Sequence, residues 1–204
     1  MANFLIAKNT PGLSIVETWN TLGMRATGSH DLLLNEVRLD ENCFVERLTQ
    51  GPKPAAGWLL HIPACYLGIA RAAFDYAVSF AKEYSPNSIE GPIAKLPSVQ
   101  MKIGEAALLL EQSRSFLYAV SNEWDGSIPE VKSAMKSRLG AVKLTVTNQA
   151  IQIVDLAMRI VGAQSLNNDA PLQRYYRDVR AGLHNPPMDD MTIRLLAQEA
   201  LEKE

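Results

Sequence analysis

Apolar residues fall into two regimes along this 204-residue chain. Up to about residue 50 they come in short runs broken by Gly, Asn and Pro, the pattern of strands between turns. Beyond it they recur every three or four residues for about 150 positions, the period of amphipathic helices. Phe4 to Ala7 and Leu13 to Val16 read as short strands around the Asn9-Thr10-Pro11-Gly12 turn. Gly23 and Gly28 bracket a loop, Met24-Arg25-Ala26-Thr27. Leu32-Leu33-Leu34, Asn35-Glu36 and Val37-Arg38-Leu39 read as a tight hairpin, its first strand buried on both faces because its apolar residues are consecutive. Gly51-Pro52-Lys53-Pro54 is a break, which places a β-like segment at 1–50 and a helical domain at 55–204.

The first helix is predicted from Trp58 to Tyr84, with Ile62, Ile69, Phe74 and Val78 inward and Pro63 as a kink or an effective start. After a Ser85–Pro92 loop, a second helix carries Val99, Ile103, Ala106, Leu110, Leu117 and Val120, and Asp125-Gly126 ends it. Ser127-Ile128-Pro129-Glu130 opens a third helix with a cap and an early proline. Val131, Met135, Leu139, Val142, Val146, Ile153 and Ile160 keep it going unbroken for about 30 residues, so the bundle is about 40 Å long. A fourth helix spans Pro171 to Leu183, stopped by Asn185-Pro186-Pro187, and a fifth spans Asp189 to Lys203. Thr145, Thr147, Asn148, Gln149 and Gln152 give the third helix a mixed surface, suited to packing in its own bundle and against a second subunit. The fold class is therefore mainly α. Because three or so strands cannot close a sheet, the chain is expected to be the second half of something larger.

Composition narrows the class further. A formal net charge of −2, with no basic run, argues against nucleic acid or an anionic membrane as partner. Cys43 and Cys65 lie in apolar settings and read as buried free thiols of a reducing cytoplasm. The N-terminus lacks the pattern of a signal peptide, and no apolar run approaches the roughly 20 residues of a membrane helix. His30 and His61 have no metal spacing.

Three motifs together resemble the acyl-CoA dehydrogenase family: Trp19-Asn20-Thr21-Leu22-Gly23-Met24-Arg25-Ala26-Thr27-Gly28-Ser29, then Asn35-Glu36-Val37, then Tyr66-Leu67-Gly68-Ile69-Ala70-Arg71. The resemblance implies the last strands of the family's β-domain followed by its C-terminal four-helix bundle, which builds an oligomer (dimer or tetramer). It also implies flavin adenine dinucleotide (FAD) as cofactor and acyl-CoA as substrate. Met1 then sits well inside the family's β-domain, as in an expression fragment or a truncated reading frame.

The resemblance sets out the candidate chemistry. Dehydrogenating members use a glutamate base, often in a Tyr-Glu-Gly-Thr loop, and this loop falls near Asn185-Pro186-Pro187-Met188, which has no glutamate. A base from the first bundle helix would be Asp75 or Glu83, both spaced like solvent-facing residues. Leu183-His184-Asn185-Pro186 is similar instead to the flavin-dependent monooxygenase branch, where a histidine beside the flavin takes part in the oxygen chemistry. An imidazole can donate or accept near neutrality, which makes His184 a candidate catalytic residue. Its other reading is a helix C-cap histidine, favourable at the negative end of a helix. Arg174, Arg177 and Arg180 form a stripe, read as a surface row or as pairing within the bundle.

The family's Gln-x-x-Gly-Gly segment, which touches the flavin of the adjacent subunit, corresponds to Arg159-Ile160-Val161-Gly162-Ala163. That makes Arg159, Gly162 and Ala163 candidate cofactor contacts, with a plain helix end at Gly162 as the other reading. Thr27 and Ser29 could hydrogen-bond a flavin or substrate, or cap their own loop. The family's flavin-binding Arg-x-x-Phe-Gly has no match near Pro86 to Glu90, nor does its CoA-side arginine near Leu59. Three readings follow: an acyl-CoA dehydrogenase-like oxidoreductase acting on CH–CH bonds, a flavin monooxygenase-like relative, and a non-catalytic oligomerising remnant.

Overall fold

The structure is a computed structural model that describes residues 1–48 and 55–202. The chain divides into two compact units, Met1–Lys53 and Pro54–Glu204. The predicted break at Gly51–Pro54 and the predicted helix end at Lys203 lie outside the described residues.

In the first unit, β1 (Ala2–Phe4) pairs antiparallel with β4 (Phe44–Arg47), and β2 (Leu13–Val16) pairs antiparallel with β3 (Asp31–Leu34). Edge-to-face rings of Phe4 and Phe44, 5.9 Å apart, and an Asn3–Glu46 hydrogen bond of 2.8 Å hold the first pair. This pairing differs from the expected one. Leu32–Leu34 do not form a hairpin with Val37–Leu39, which is not a strand. Asn35 N–H donates instead to Gly12 O at 2.9 Å, which locks Leu34 opposite Leu13. Gly12 sits at φ +88, and a Cβ there would fall 2.2 Å from Asn35 O, so only glycine permits this closure. Leu32, Leu33 and Leu34 are exposed in this chain rather than buried on both faces.

The second unit is an α-helical bundle: α1 (His61–Glu83), α2 (Pro97–Gly126), α3 (Pro129–Ala134), α4 (Lys136–Val161), α5 (Pro171–Val179) and α6 (Asp189–Leu201). Prolines at the starts of α2, α3 and α5 occupy positions where a missing N–H costs nothing. Two corrections apply to the predicted helices. The third is not continuous, because Met135, at φ −81 and ψ 9, leaves helical geometry and divides it into α3 and α4. The inner face of α1 is Tyr66, Ala70, Ala73, Ala77 and Ala81, while Ile62, Ile69 and Phe74 flank it half-buried. Small side chains at three- and four-residue spacing let the α1 axis approach α4 closely, which larger residues would prevent.

Helix α4 is the centre of the bundle. Leu139, Val142, Val146, Ile153 and Val154 are fully buried, each removed from water at a gain of about 1.5–3 kcal/mol. Its polar residues find partners within the chain. Ser113 Oγ donates to Gln149 Oε1 at 2.6 Å, and Thr147 Oγ1 donates to the backbone O of Lys143 at 2.7 Å. The mixed surface is thus partly satisfied inside one subunit. The cysteines are free, but Cys65 is exposed and Cys43 half-buried, contrary to the expectation of two buried thiols. A thiol at position 65 faces outward because Tyr66, not Cys65, occupies the inner stripe. Among the described residues no helix is long and apolar enough to cross a membrane.

Candidate functional site

Between α5 and α6 the chain makes a short 3-10 turn, Arg180–His184, followed by Asn185-Pro186-Pro187-Met188. This turn is seated on α1 and α4 through Gly182, where a Cβ would come 3.3 Å from both Tyr66 and Thr147. Tyr66 then donates its hydroxyl to Asn185 Oδ1 at 2.5 Å. Burial pushes the Tyr66 phenol up to about 12, helped by the neighbouring Cys65 and Asp178, so the hydroxyl keeps its proton and stays a donor. His184 lies on the exposed side of the same turn. It stands at the end of a helical turn, as one sequence reading had it, and its imidazole is open to solvent.

The carboxylates nearby are engaged. Asp189, the first residue of α6, accepts from Lys143 Nζ at 3.1 Å and from Asn148 Nδ2 at 2.8 Å. Asp190 Oδ1 accepts the N–H of Met191 at 2.9 Å. On α1, Asp75 is paired with Arg71 at 2.8 Å in solvent, and Glu83 accepts from Ser79 at 3.0 Å. Both face outward, as their spacing suggested. The arginine stripe works within the bundle. Arg177 grips Gln173 Oε1, and Arg180 pairs with Asp155 of α4 while covering the Tyr176 ring at 4.3 Å.

Arg159 opens onto a groove of about 540 Å3 between α2 and α4, together with Lys102, Glu105, Gln152 and Asp155. Three residues further on, α4 is capped by Gly162, with φ +69, and the Gly162 N–H closes the last turn on Met158 O. A Cβ at Gly162 would meet nothing within 4 Å, and Ala163 is exposed beside it. The segment is therefore both a helix end and a stretch of open backbone, three residues beyond Arg159 in sequence.

Thr27 and Ser29 belong to the N-terminal unit and are exposed on the loop between β2 and β3. Trp19 builds that loop: its indole N–H donates to Met24 O at 3.1 Å, and its backbone N–H donates to His30 Nδ1 at 3.1 Å. Thr27 Oγ1 also donates to Met24 O, at 2.7 Å, so this hydroxyl caps its own loop and keeps only acceptor capacity for anything else. His30, given no role from sequence, is a structural brace here.

Lys143 was missed. It is buried completely, and nothing in a helix-periodic reading separates a lysine that snorkels from one that pairs inside. A second groove, about 630 Å3 between α1 and α2, was also missed; Leu67, Arg71, Leu110 and Arg114 line it. Among the described residues no cluster of three or more His, Cys, Asp or Glu could hold a metal.

Residues 60–185 match the family model for the C-terminal domain of acyl-CoA dehydrogenases. YdbM of Bacillus subtilis (strain 168), whose name assigns it to that family, is 61% identical over 201 residues, 98% of this chain and 52% of its own. The mitochondrial short-chain specific acyl-CoA dehydrogenase of Bos taurus is 31% identical over 87% of this chain and 42% of its own. The amino sugar nitrososynthase DnmZ of Streptomyces peucetius is 26% identical over 87% of this chain and 45% of its own. Among solved structures, KijD3 in complex with FMN and a dTDP-linked amino-keto sugar superposes with a TM-score of 0.77 at 27% identity, covering 98% of this chain and 51% of that one. The chain thus spans about half the length of the relatives it matches.

Proposed function

The chain belongs to the acyl-CoA dehydrogenase family, and from that premise we propose that it forms the C-terminal helical part of a flavin-dependent oxidoreductase in which His184 handles the proton. The observation that carries this reading is the state of the α5–α6 segment. Residues 183–188 contain no carboxylate, and the carboxylate that follows, Asp189, is held by Lys143 and Asn148. A carboxylate base for removing an α-proton from acyl-CoA is therefore not offered there, whereas an exposed imidazole is. The reading favoured is the oxygen-using, monooxygenase-like one. Its substrate is then a small molecule other than acyl-CoA, for which the sugar nucleotide bound to KijD3 is a precedent.

Each unit, taken by itself, offers groups suited to a flavin nucleotide. Arg159 supplies an exposed guanidinium three residues before the exposed Gly162 and Ala163, and a Cβ at Gly162 would meet nothing within 4 Å. Thr27 and Ser29 offer exposed hydroxyl oxygens on the left-handed Gly28 turn. When bound, the flavin supplies two-electron redox chemistry and reactivity toward oxygen. FAD is the form the family resemblance implies, and FMN is the form bound to KijD3.

The chain's own residues would do the rest. His184 gives or takes one proton at a ring nitrogen. Asn185, tied to Tyr66, fixes the backbone beside it, and Pro186 and Pro187 present no N–H that could compete for the same oxygen.

Dehydrogenation of acyl-CoA remains the second reading, favoured by the 31% identity with the bovine enzyme, and it needs a base from outside this segment. Retained blue absorption after incubation with FAD or FMN and removal of the excess supports a flavin site. A colourless chain that is a stable oligomer supports the non-catalytic reading instead.

A further inference from the structure

Gly182, Asp189 and Thr192 lie along one side of α4. Gly182 rests on Thr147, Asp189 on Lys143 and Asn148, and Thr192 on Gly140. Positions 140, 143 and 147 are spaced by three and four, so they form one face of the helix. At the middle of that face Lys143 is 0% exposed, and its Nζ lies 3.1 Å from Asp189 Oδ1. An apolar side chain of the same length would fill this space without the desolvation penalty of a buried charge. What the ion pair adds is direction.

Asp189 receives one donor on each carboxylate oxygen, from Lys143 and from Asn148 one turn further along α4. Two donors fix both the place and the rotation of the carboxylate, and with it the first residue of α6. Only Asn185 to Met188 separate that anchor from His184, and two of those four residues are prolines with fixed φ. On the other side, the Tyr66–Asn185 hydrogen bond holds the same stretch. His184 therefore directly precedes two anchored residues, Asn185 and Asp189, that a stiff linker joins.

We propose that Lys143 is a positioning residue: its buried ion pair with Asp189 places the His184–Met188 segment and so sets where His184 works. This rests on the reading of His184 given above. Loss of the lysine releases the start of α6, and the proline pair carries the displacement back to His184. A mere packing residue at 143 would affect global stability without moving that imidazole.

The chain has three histidines, so the ring NMR signals of His30, His61 and His184 can be followed separately, the first two as internal controls. In Lys143→Met, the His184 signal is expected to shift while His30 and His61 stay in place. Amide exchange in residues 185 and 188–192 is expected to rise by about a hundredfold or more. Asn148→Ala, which removes only one donor, gives a smaller change of the same kind and serves if Lys143→Met does not fold. Adding Asp189→Leu to Lys143→Met removes the unpaired charge and restores thermal stability, yet leaves His184 displaced. A His184 signal unchanged in Lys143→Met, or returned to its original position in the double variant, overturns the proposal. The functional reading is tested apart from this one: oxygen uptake that survives His184→Ala sinks the proton-handling role of His184 and leaves the anchoring by Lys143 standing.

Discussion

The Tyr66 hydroxyl and the Asn185 side-chain oxygen, 119 positions apart in sequence, meet at 2.5 Å. This bond joins the first helix of the bundle to the turn that carries His184. In Tyr66→Phe the amide of Asn185 loses its donor, at a cost of about 1–2 kcal/mol, or a few degrees in Tm. The pH dependence follows from the phenol, whose pKa is raised from 10.0 to about 12 by burial above all. The folded chain holds this proton above pH 10 where the unfolded chain has lost it. Its contribution is therefore constant below about pH 10 and is lost as pH rises to about 12. Denaturation curves from pH 9 to 12 check this, with Tyr66→Phe showing the shallower decline.

The docking of α6 can be improved or damaged at one contact. Thr192 is buried, and its Oγ1 has no hydrogen-bond partner among the described residues. Thr192→Val keeps the shape and removes the unsatisfied hydroxyl, so stability is expected to rise by about 1 kcal/mol. Conversely, a Cβ on Gly140 would lie 2.9 Å from Thr192 Oγ1 and 3.1 Å from its Cγ2. Gly140→Ala is expected to cost about 1–3 kcal/mol through this overpacking, despite its better helix propensity. Combining it with Thr192→Ala removes both clashing atoms and recovers most of the loss.

At the other end of α4, Arg159 is the cation nearest the open Gly162–Ala163 backbone in sequence. Replacing it with glutamate is expected to weaken flavin nucleotide binding by about tenfold to a hundredfold, the worth of a charge-assisted contact to phosphate. Fluorescence titration with FMN and FAD measures this, and the loss should shrink as salt is raised. Equal affinity in both proteins would remove Arg159 from the site.

Self-association is expected from the exposed apolar residues of α6. Met191, Ile193 and Leu201 are each more than half exposed in the single chain. Ile193 and Leu196, three positions apart and so on one face, give an apolar surface of the kind that a second subunit covers. Sedimentation is expected to give a multiple of 22.5 kDa, and Ile193→Lys to shift the population toward monomer. A wild-type chain that sediments only as monomer contradicts this.

Much of the helical unit was legible in the sequence, and for a clear reason. Val99, Ala106, Leu117 and Val120, or Leu139, Val142 and Val146, show periodic burial that a helix imposes directly on sequence. Where the reading went wrong, the cause was local. On α1 large apolar residues were weighted over alanines, although close helix contact selects the small ones. At Met135 no proline or glycine announces the break. In the N-terminal unit the pairing depends on Gly12 and Asn35 closing on each other, a long-range bond that no run of apolar residues reveals. His184 was visible as a chemical type at a family position. Its two anchors were not, because Tyr66 reads as one more core aromatic and Lys143 as one more surface lysine.

The account turns on whether His184 serves oxygen chemistry in place of a carboxylate base. The direct measurement is oxygen consumption by the chain reconstituted with reduced flavin, without acyl-CoA, compared between wild type and His184→Ala. The account predicts consumption faster than that of free reduced flavin, falling by about a hundredfold or more in His184→Ala. Flavin bleached by an acyl-CoA under anaerobic conditions, at a rate indifferent to His184→Ala, would contradict it and return the chain to the dehydrogenases.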